Sequence, residues 1–190
     1  MPSSSFDSMG CPIAGALEQV GEWWTLLILR DALDGFSRFD EFERNLGIAP
    51  NMLTRRLKSL VDAGLLERRQ YSDRPPRFEY VPTARGRELT PVIIALYAWG
   101  NKHVDDDDRA VVLVDEAGET IDPVFVDRRT GRTLAESKAQ FVSGPKASEF
   151  LRKRLDTTQR AQRRSRSRDV AVALEPADRL ESRPMTPPTS

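Results

Sequence analysis

The sequence predicts an α+β domain, a winged helix-turn-helix, from three observations between residues 37 and 81. A short helix begins near Ser37, with Asp40 three residues on as in an N-terminal cap, and apolar residues follow at helical spacing. A tight break separates this helix from a second, basic one. Two short strands then flank a loop rich in arginine and proline. Helix, turn, helix and hairpin in this order are typical of that fold.

The basic helix is predicted to begin at Pro50, whose preset φ suits the first helical position, and to end at Gly64, which supplies a left-handed stop. Its apolar residues recur along one side, at positions 53, 57, 60 and 61. Its polar residues follow the spacing i, i+3, i+4 and i+7, so they project together from the other side. They are Asn51, Thr54, Arg55 and Lys58. Such a face has the geometry needed to enter a DNA major groove.

Charge is distributed unevenly along the chain, although its net charge is zero. Residues 1–43 sum to −6 and residues 44–87 sum to +6. The basic block coincides with the predicted groove-reading helix and the hairpin. A positive footprint at that place favours contact with phosphate.

Composition limits the class of protein. With 190 residues, 39% of them hydrophobic and 31% charged, the chain is expected to be soluble, with one domain plus extensions. It contains no apolar run of roughly 20 residues and no signal-like start, so we expect a cytoplasmic protein without a membrane partner. Its single cysteine, Cys11, excludes an internal disulfide and a cysteine-based zinc site. We expect no metal and no cofactor.

The elements around the helix-turn-helix follow from the same kind of pattern. Pro12 should open a short helix that ends near Val20, with Cys11 at its N-cap. The helix over residues 22–33 is apolar almost all round, which predicts burial between other helices. Strands are predicted over residues 65–71 and 78–81. Residues 72–77 between them, too long and proline-rich for a tight hairpin, form the predicted wing.

A long helix is predicted from the cap Thr83 to about Lys102, bent or interrupted near its start by Pro91. Its apolar residues are too many for one small domain to cover, so we expect a second subunit to cover them. The predicted dimer stripe consists of Leu89, Ile93, Leu96 and Gly100.

A run of four aspartates at residues 105–108 marks a predicted boundary. The predicted organisation is a disordered N-terminus (1–10), the winged-helix domain (11–104), a small β-rich module (109–145), a basic helix (146–162) and a disordered basic tail (163–190). Within the β module, strands are expected over residues 110–114 and 123–126.

Several of these motifs, in this order and spacing, resemble the HxlR family of bacterial winged-helix transcription regulators, which is related to the MarR type. The resemblance covers residues 11–104 and lies in Cys11-Pro12-Ile13, Trp24 to Arg30, Phe39 to Phe42, Met52 to Leu57, Pro75 to Tyr80 and Thr83 to Gly86. It implies a homodimer, with the first and last helices at the interface, a pseudo-palindromic operator and no enzymatic activity.

Two departures from the family pattern are visible. Ala49 stands where the family usually has serine before the proline of the recognition helix, which removes a side-chain cap worth roughly 1 kcal/mol. Some relatives carry two CxxC-like knuckles after the winged helix. The corresponding turns here, residues 115–118 and 127–131, contain no cysteine, so a zinc ribbon is not expected.

Individual DNA contacts are predicted from side-chain chemistry. Arg55 can offer its forked guanidinium to guanine O6 and N7, whereas Arg56 and Lys58 are expected to contact phosphate. Arg74 and Arg77 lie among prolines that stiffen the wing, which favours their entry into a minor groove.

Cys11 admits two interpretations. Unpaired N–H groups at a helix start stabilise a thiolate, and some members of the family sense oxidants or electrophiles with a cysteine at this position. A cysteine near an N-terminus also often only packs. A redox sensor and a packing residue both stay open, as does control by a small-molecule effector.

The leading hypothesis is therefore a dimeric, sequence-specific DNA-binding regulator, and we expect a repressor because such dimers commonly act by occlusion. The alternative is a winged-helix protein-interaction adaptor without specific DNA binding, which would carry an acidic or apolar face in place of the basic one. An enzyme lacks support, because one histidine, one cysteine and no glycine-rich phosphate loop leave no catalytic constellation.

Overall fold

The structure, a computed structural model, describes residues 11–162, so the predicted disorder of residues 1–10 and 163–190 lies outside the described residues. The described part contains seven α-helices with defined ends, a short 3-10 helix (Asp106–Asp108), a helical segment over residues 157–162 and one two-stranded antiparallel sheet. The α-helices and strands are α1 (Pro12–Val20), α2 (Trp23–Leu33), α3 (Phe39–Leu46), α4 (Pro50–Asp62), β1 (Leu66–Asp73), β2 (Pro76–Pro82), α5 (Ala84–Arg87), α6 (Thr90–Asn101) and α7 (Glu149–Leu155). The chain divides into two compact units after residue 139, not at the acidic run.

The core of the first unit lies where α2, α3, α4 and β1 meet. Its fully buried side chains include Ile28 and Leu29 of α2, Phe42 of α3 and Leu57 of α4. Burial of these apolar groups is the main term that stabilises the unit. The second helix is buried between other elements along the side that carries residues 25, 28, 29, 31 and 32, whereas its first residue, Trp23, is 86% exposed.

One buried carboxylate ties α2 to α3. Asp31 is 1% exposed and accepts hydrogen bonds from the Arg30 guanidinium at 2.7 Å and from the Asn45 amide at 2.6 Å. A buried charge is tolerated only with such partners, since desolvation would otherwise cost several kcal/mol.

The cap of α3 differs from the predicted one by one residue. Glu41 reaches back, and its carboxylate accepts the backbone N–H groups of Ser37 at 2.9 Å and of Arg38 at 2.8 Å. These two bonds hold the pKa of Glu41 below its ordinary value. Asp40, predicted as the capping acid, instead pairs with Arg44 at 3.2 Å. Glu41 prevails because one carboxylate satisfies two free donors.

The hairpin is tighter than predicted. Strands β1 and β2 continue into the segment expected to be a long loop, and only Arg74 and Pro75, joined by a cis peptide bond, form the turn. A bulge at Tyr71 shifts the register between the two strands. The backbone of Arg38 pairs with that of Glu79 and adds a short third edge to the sheet.

The predicted helix over residues 83–102 is divided into α5 and α6, with Pro91 in the first turn of α6, as the expected interruption near its start requires. The hydroxyl of Thr83 accepts the N–H of Gly86 at 3.0 Å and donates to the carbonyl of Gly64 at 2.7 Å. A Cβ on Gly86 would collide with the carbonyl oxygen of Leu65. These contacts join the end of α4 to the start of α5.

Residues 105–139 follow α6 within the same unit. Neither of the two strands expected there forms, and the segment has single bridges between Val114 and Thr120 and between Val126 and Thr133. The strand prediction was wrong because each of these segments forms a tight turn, whose few cross-chain bonds, such as Ile121 N–H to the Leu113 carbonyl at 2.8 Å, extend no further than the residues beside the bridge. We call residues 105–139 the extension.

The second unit contains α7, which is shorter than the predicted basic helix of residues 146–162. Ser148 caps it by accepting the N–H of Leu151 at 3.3 Å. The helix ends before Asp156, whose carboxylate accepts the N–H of Gln159 at 2.8 Å and starts a new helical segment over residues 157–162. Of the helices in the described part of the chain, none has both the length and the apolar content for a bilayer crossing.

Candidate nucleic-acid interface

Helix α4 has the two faces that its sequence predicts. Leu53, Leu57 and Leu60 are buried in the core of the first unit. The four side chains on the other side, Asn51, Thr54, Arg55 and Lys58, are exposed. Because the buried side fixes the helix against the domain, the polar side is presented at a defined angle to solvent.

The turn before α4 fixes its direction. Gly47 has φ of 60°, ends α3 in the left-handed region, and donates its N–H to the carbonyl of Glu43 at 2.9 Å. Ile48, which follows, is 3% exposed and packs in the core. Pro50 is the first residue of α4, as predicted, and Ala49 makes no side-chain cap. The missing serine therefore leaves the helix-turn-helix intact.

The polar face of α4 is held by contacts that water or DNA can replace. The hydroxyl of Thr54 donates to the carbonyl of Pro50 at 2.9 Å. Lys58 pairs with Asp62 at 2.6 Å, and both side chains are more than half exposed. Exposed pairs of this kind contribute about 0–1 kcal/mol, so the ammonium can move to a phosphate at little cost. The Arg55 guanidinium lies 3.9 Å from the Met52 sulfur.

Arg56 does not belong to this face. Its side chain is 21% exposed and its guanidinium pairs with Glu22 at 2.9 Å, while its Nε is buried without a hydrogen-bond partner in the described part of the chain. The prediction of a phosphate contact is therefore not supported by its position. Helical geometry could have predicted this position, because residue 56 lies about 60° around the helix from residue 53 and so borders the apolar side.

The two wing arginines are exposed as expected. Arg74 lies in the hairpin turn, and Arg77 lies opposite Ser72 at the start of β2. Within residues 11–162 neither of them forms a salt bridge, so both guanidinium groups are available to a polyanion.

Sequence reasoning missed two further arginines at the hairpin. The Arg38 guanidinium lies 4.7 Å from the centre of the Tyr71 ring, and that of Arg68 lies 3.4 Å from the centre of the Phe78 ring. Such cation–π contacts hold a charge at a fixed place. Arg68 and Phe78 lie diagonally across the two paired strands. Predicting this contact from the sequence would require the strand register, which the sequence does not provide.

The predicted dimer stripe on α6 is only partly uncovered. Leu89 packs against the core of its own unit, which differs from the expectation that the whole stripe needs a second subunit. Ile93 is half-buried, Leu96 is 47% exposed and Gly100 is exposed. No residue of α6 is fully buried, although α6 is more apolar than α4, the other long helix.

Cys11 lies at the N-cap of α1, ahead of Pro12, as predicted, and it is half-buried. Its carbonyl accepts the N–H of Gly15 at 3.0 Å. Helix α1 borders the start of α6, because Pro12, Ala16 and Leu89 line one groove. Cys11 therefore lies at the start of a helix that borders Leu89, the residue before α6. Its role as a sensor stays a prediction.

In the two turns of the extension where some relatives carry CxxC-like knuckles, carboxylates accept hydrogen bonds from nearby backbone N–H groups. Asp115 accepts the N–H groups of Ala117 and Glu119, each at 2.9 Å. Asp127 accepts from the Thr130 hydroxyl and the Arg129 N–H, and these bonds lower its pKa. Among the described residues there is no group of three or more histidine, cysteine or acidic side chains placed to hold a metal.

Comparison with known sequences identifies relatives. The model of the HxlR-like helix-turn-helix family matches residues 19–108. An uncharacterized HTH-type transcriptional regulator of Mycobacterium bovis is 38% identical over 138 residues, which cover 72% of this chain and 87% of the relative. The uncharacterized HTH-type transcriptional regulator YdeP of Bacillus subtilis is 38% identical over 107 residues, which cover 56% of this chain and 84% of YdeP.

Solved structures agree with the fold. The candidate transcription factor PA1374 of Pseudomonas aeruginosa shares 52% identity with a TM-score of 0.57, over 76% of this chain and all of that one. PA1607, also a candidate transcription factor, shares 31% identity with a TM-score of 0.66, over 74% of this chain and all of that one. All four are named as transcriptional regulators or candidate transcription factors, a class without enzymatic activity.

Proposed function

Because the chain belongs to the HxlR-like helix-turn-helix family of DNA-binding transcriptional regulators, we propose that it binds a pseudo-palindromic operator as a homodimer and represses transcription by occlusion. One observation carries the proposal. The polar face of α4 projects to solvent while the opposite face is held in the core.

In the proposed complex α4 lies in the major groove. Arg55 contacts guanine through O6 and N7, because its fork matches those two acceptors. Asn51 and Thr54 lie on the same face, toward the start of the helix, and contact neighbouring base edges or phosphate. Lys58 leaves Asp62 for a phosphate, which exchanges one weak ion pair for a contact that releases counterions.

The wing extends the contact along the duplex. Arg74 and Arg77 carry exposed charge at the hairpin turn, where a narrow minor groove offers a strongly negative potential. The short turn and the paired strands on either side of it already restrict the hairpin backbone, so less conformational freedom is lost when these side chains bind.

The uncovered part of α6 supports the proposed homodimer. Exposed Leu96 and half-buried Ile93 leave an apolar stripe that a second copy can bury. Two copies related by a two-fold axis place two α4 helices in successive major grooves, about 34 Å apart, which is why the operator should be pseudo-palindromic. A dimer seated across such a site excludes other proteins from it, and this favours repression.

The test uses an operator selected from random DNA by the wild-type protein. Arg55→Ala should cost about 1–3 kcal/mol of operator binding and relax base preference, because it removes a base contact. Lys58→Ala should weaken binding to all sequences alike and reduce the salt slope by about 1, because it removes a phosphate contact. Fluorescence anisotropy at several salt concentrations measures both effects.

Arg129→Ala is the matched control, since that arginine is 84% exposed and pairs with Asp127 in a turn of the extension. It should bind the operator like the wild type. Equal losses on operator and random DNA for Arg55→Ala would remove α4 from base readout and contradict the proposal.

A further inference from the structure

Apolar side chains are exposed on both sides of a groove between α6 and the extension. Trp99 is 78% exposed, Val124 63% and Phe125 56%. The groove has a volume of about 420 Å³ and is lined by Pro91, Ile94, Ala95, Ala98, Trp99, Lys102, Pro123, Val124 and Phe125. Lys102 is the only charged residue among these lining residues, which all belong to the first unit of the described chain.

The groove uses a different side of α6 from the predicted dimer stripe. Residues 91, 94, 95 and 98 follow the spacing i, i+3, i+4 and i+7, so they form one face. At 3.6 residues per turn, Ala98 lies about 200° around the helix from Leu96. Helix α6 therefore has apolar residues on two opposite sides. The stripe side is already used in part by its own unit through Leu89.

One hydrogen bond ties the extension to α6 and others lie within the extension, so the segment that carries the exposed side chains is held by contacts of its backbone. The Tyr97 hydroxyl accepts the N–H of Leu113 at 3.0 Å. The carbonyl of Phe125 accepts the N–H of Leu134 at 2.9 Å, and the Asp127 turn lies directly beyond. Neither bond involves the Phe125 side chain.

The exposed apolar area of the groove indicates which kind of partner can cover it. Trp99 and Phe125 alone expose on the order of 300 Å² of aromatic surface, which reaches the size of the largest apolar patch on a typical monomer. A two-fold axis presents the same patch on both copies. Each partner of a standard interface buries roughly 800 Å², so these two side chains supply less than half of one partner's share, and Val124 and the stripe side of α6 add to it. The lining offers a small ligand a single ammonium group for orientation. A broad, almost uncharged surface is better matched to a second copy.

We propose that this groove is an interface with a second copy of the chain, in which each copy's Trp99 packs against the other copy's residues 123–125. The inference rests on the proposed homodimer and adds to it, because it makes the extension, beyond the matched residues 19–108, part of the dimer contact. It also assigns the groove side of α6, not only the stripe side, to that contact.

The experiment measures dimer dissociation by sedimentation of the full chain from nanomolar to micromolar concentration. Phe125→Ser and Trp99→Arg should each raise the dimer dissociation constant at least tenfold, because each removes aromatic area from the interface. Phe141→Ser and Trp23→Arg are the matched controls, at side chains that are 71% and 86% exposed. Both controls should dimerise like the wild type.

Each outcome supports or contradicts the inference. A wild-type dimer that Phe125→Ser and Trp99→Arg leave unchanged contradicts the inference but keeps the homodimer, whereas a monomeric wild type contradicts both. Circular dichroism checks folding, and Val124→Asp, at a side chain 63% exposed, replaces Phe125→Ser if that variant unfolds. Saturable binding of benzoate to the wild-type dimer, lost in Trp99→Arg while the dimer persists, would assign the groove to a small ligand instead.

Discussion

Helices α4 and α6 are nearly equal in length, 13 and 12 residues, and they use their apolar residues in opposite ways. Helix α4 buries Leu53, Leu57 and Leu60 in its own unit and exposes a polar face. Helix α6 is far more apolar and buries none of its residues completely. The comparison shows that apolar content does not measure burial. Helix α4 buries its apolar face within one copy, whereas α6 leaves apolar surface uncovered.

The charges around the two helices differ in the same sense. Helix α4 lies in the block of residues 44–87 with a net charge of +6, and its exposed side attracts a polyanion. The exposed sides of α6 are almost uncharged, with Lys102 at the end of the helix. One helix is suited to DNA and the other to protein, because phosphate contact needs positive charge and stable protein contact needs apolar area.

The largest effect that would test this comparison is a truncation in each helix. Leu57→Ala should lower the free energy of unfolding by about 2–5 kcal/mol at any protein concentration, because it opens a cavity in the core of one copy. Leu96→Ala, at a side chain 47% exposed, should lower it only at concentrations where the dimer forms. Urea unfolding at two protein concentrations separates the two cases. A concentration-independent loss for Leu96→Ala would show that α6 is already packed within one copy.

A smaller effect is expected at the helix that precedes the turn into α4. Glu41→Ala should destabilise the protein by about 1 kcal/mol near neutral pH, because it frees the backbone N–H groups of Ser37 and Arg38. Glu43→Ala, on the same helix, is the control and should have little effect.

The pH dependence of the Glu41 contribution follows from its lowered pKa. A carboxyl group whose pKa is lower in the folded state stabilises that state at pH values above the unfolded pKa, here 4.5, and this contribution is lost as pH falls through the folded value. The difference between wild type and Glu41→Ala should therefore shrink below pH 4.5. Thermal unfolding at several pH values measures it, and a constant difference down to pH 2 would contradict the capping role.

The smallest expected effect concerns Cys11, which lies at the start of α1. If Cys11 acts as a sensor, an adduct on its sulfur should lower operator affinity, because α1 borders the start of α6 and a displaced α1 changes the spacing of the two α4 helices. Cys11→Ser should bind the operator and ignore the oxidant diamide. Unchanged affinity after complete modification, verified by mass spectrometry, would assign Cys11 to packing.

Local chemistry was enough to predict the helix-turn-helix part of the molecule. Pro50 begins α4 because a residue without an N–H loses nothing in the first helical turn, and Gly47 and Gly64 end helices because they adopt positive φ freely. The polar face of α4 follows from helical spacing alone. These features depend on neighbours within a few residues, and so the sequence by itself determined the α+β winged-helix fold and the exposed positions of Arg55 and Lys58.

Tertiary contacts decided the features that the sequence misplaced. Arg56 pairs with Glu22, 34 positions away, and only the packing of α2 on α4 brings the two together. The hairpin is short because strand pairing extends into residues whose composition is typical of a loop. The extension forms bridges in place of strands because its chain folds back on itself at once. The Arg56–Glu22 pair depends on a partner distant in sequence, and the hairpin and the extension depend on whether the backbone pairs or turns, a balance that residue patterns do not encode and the folded chain decides.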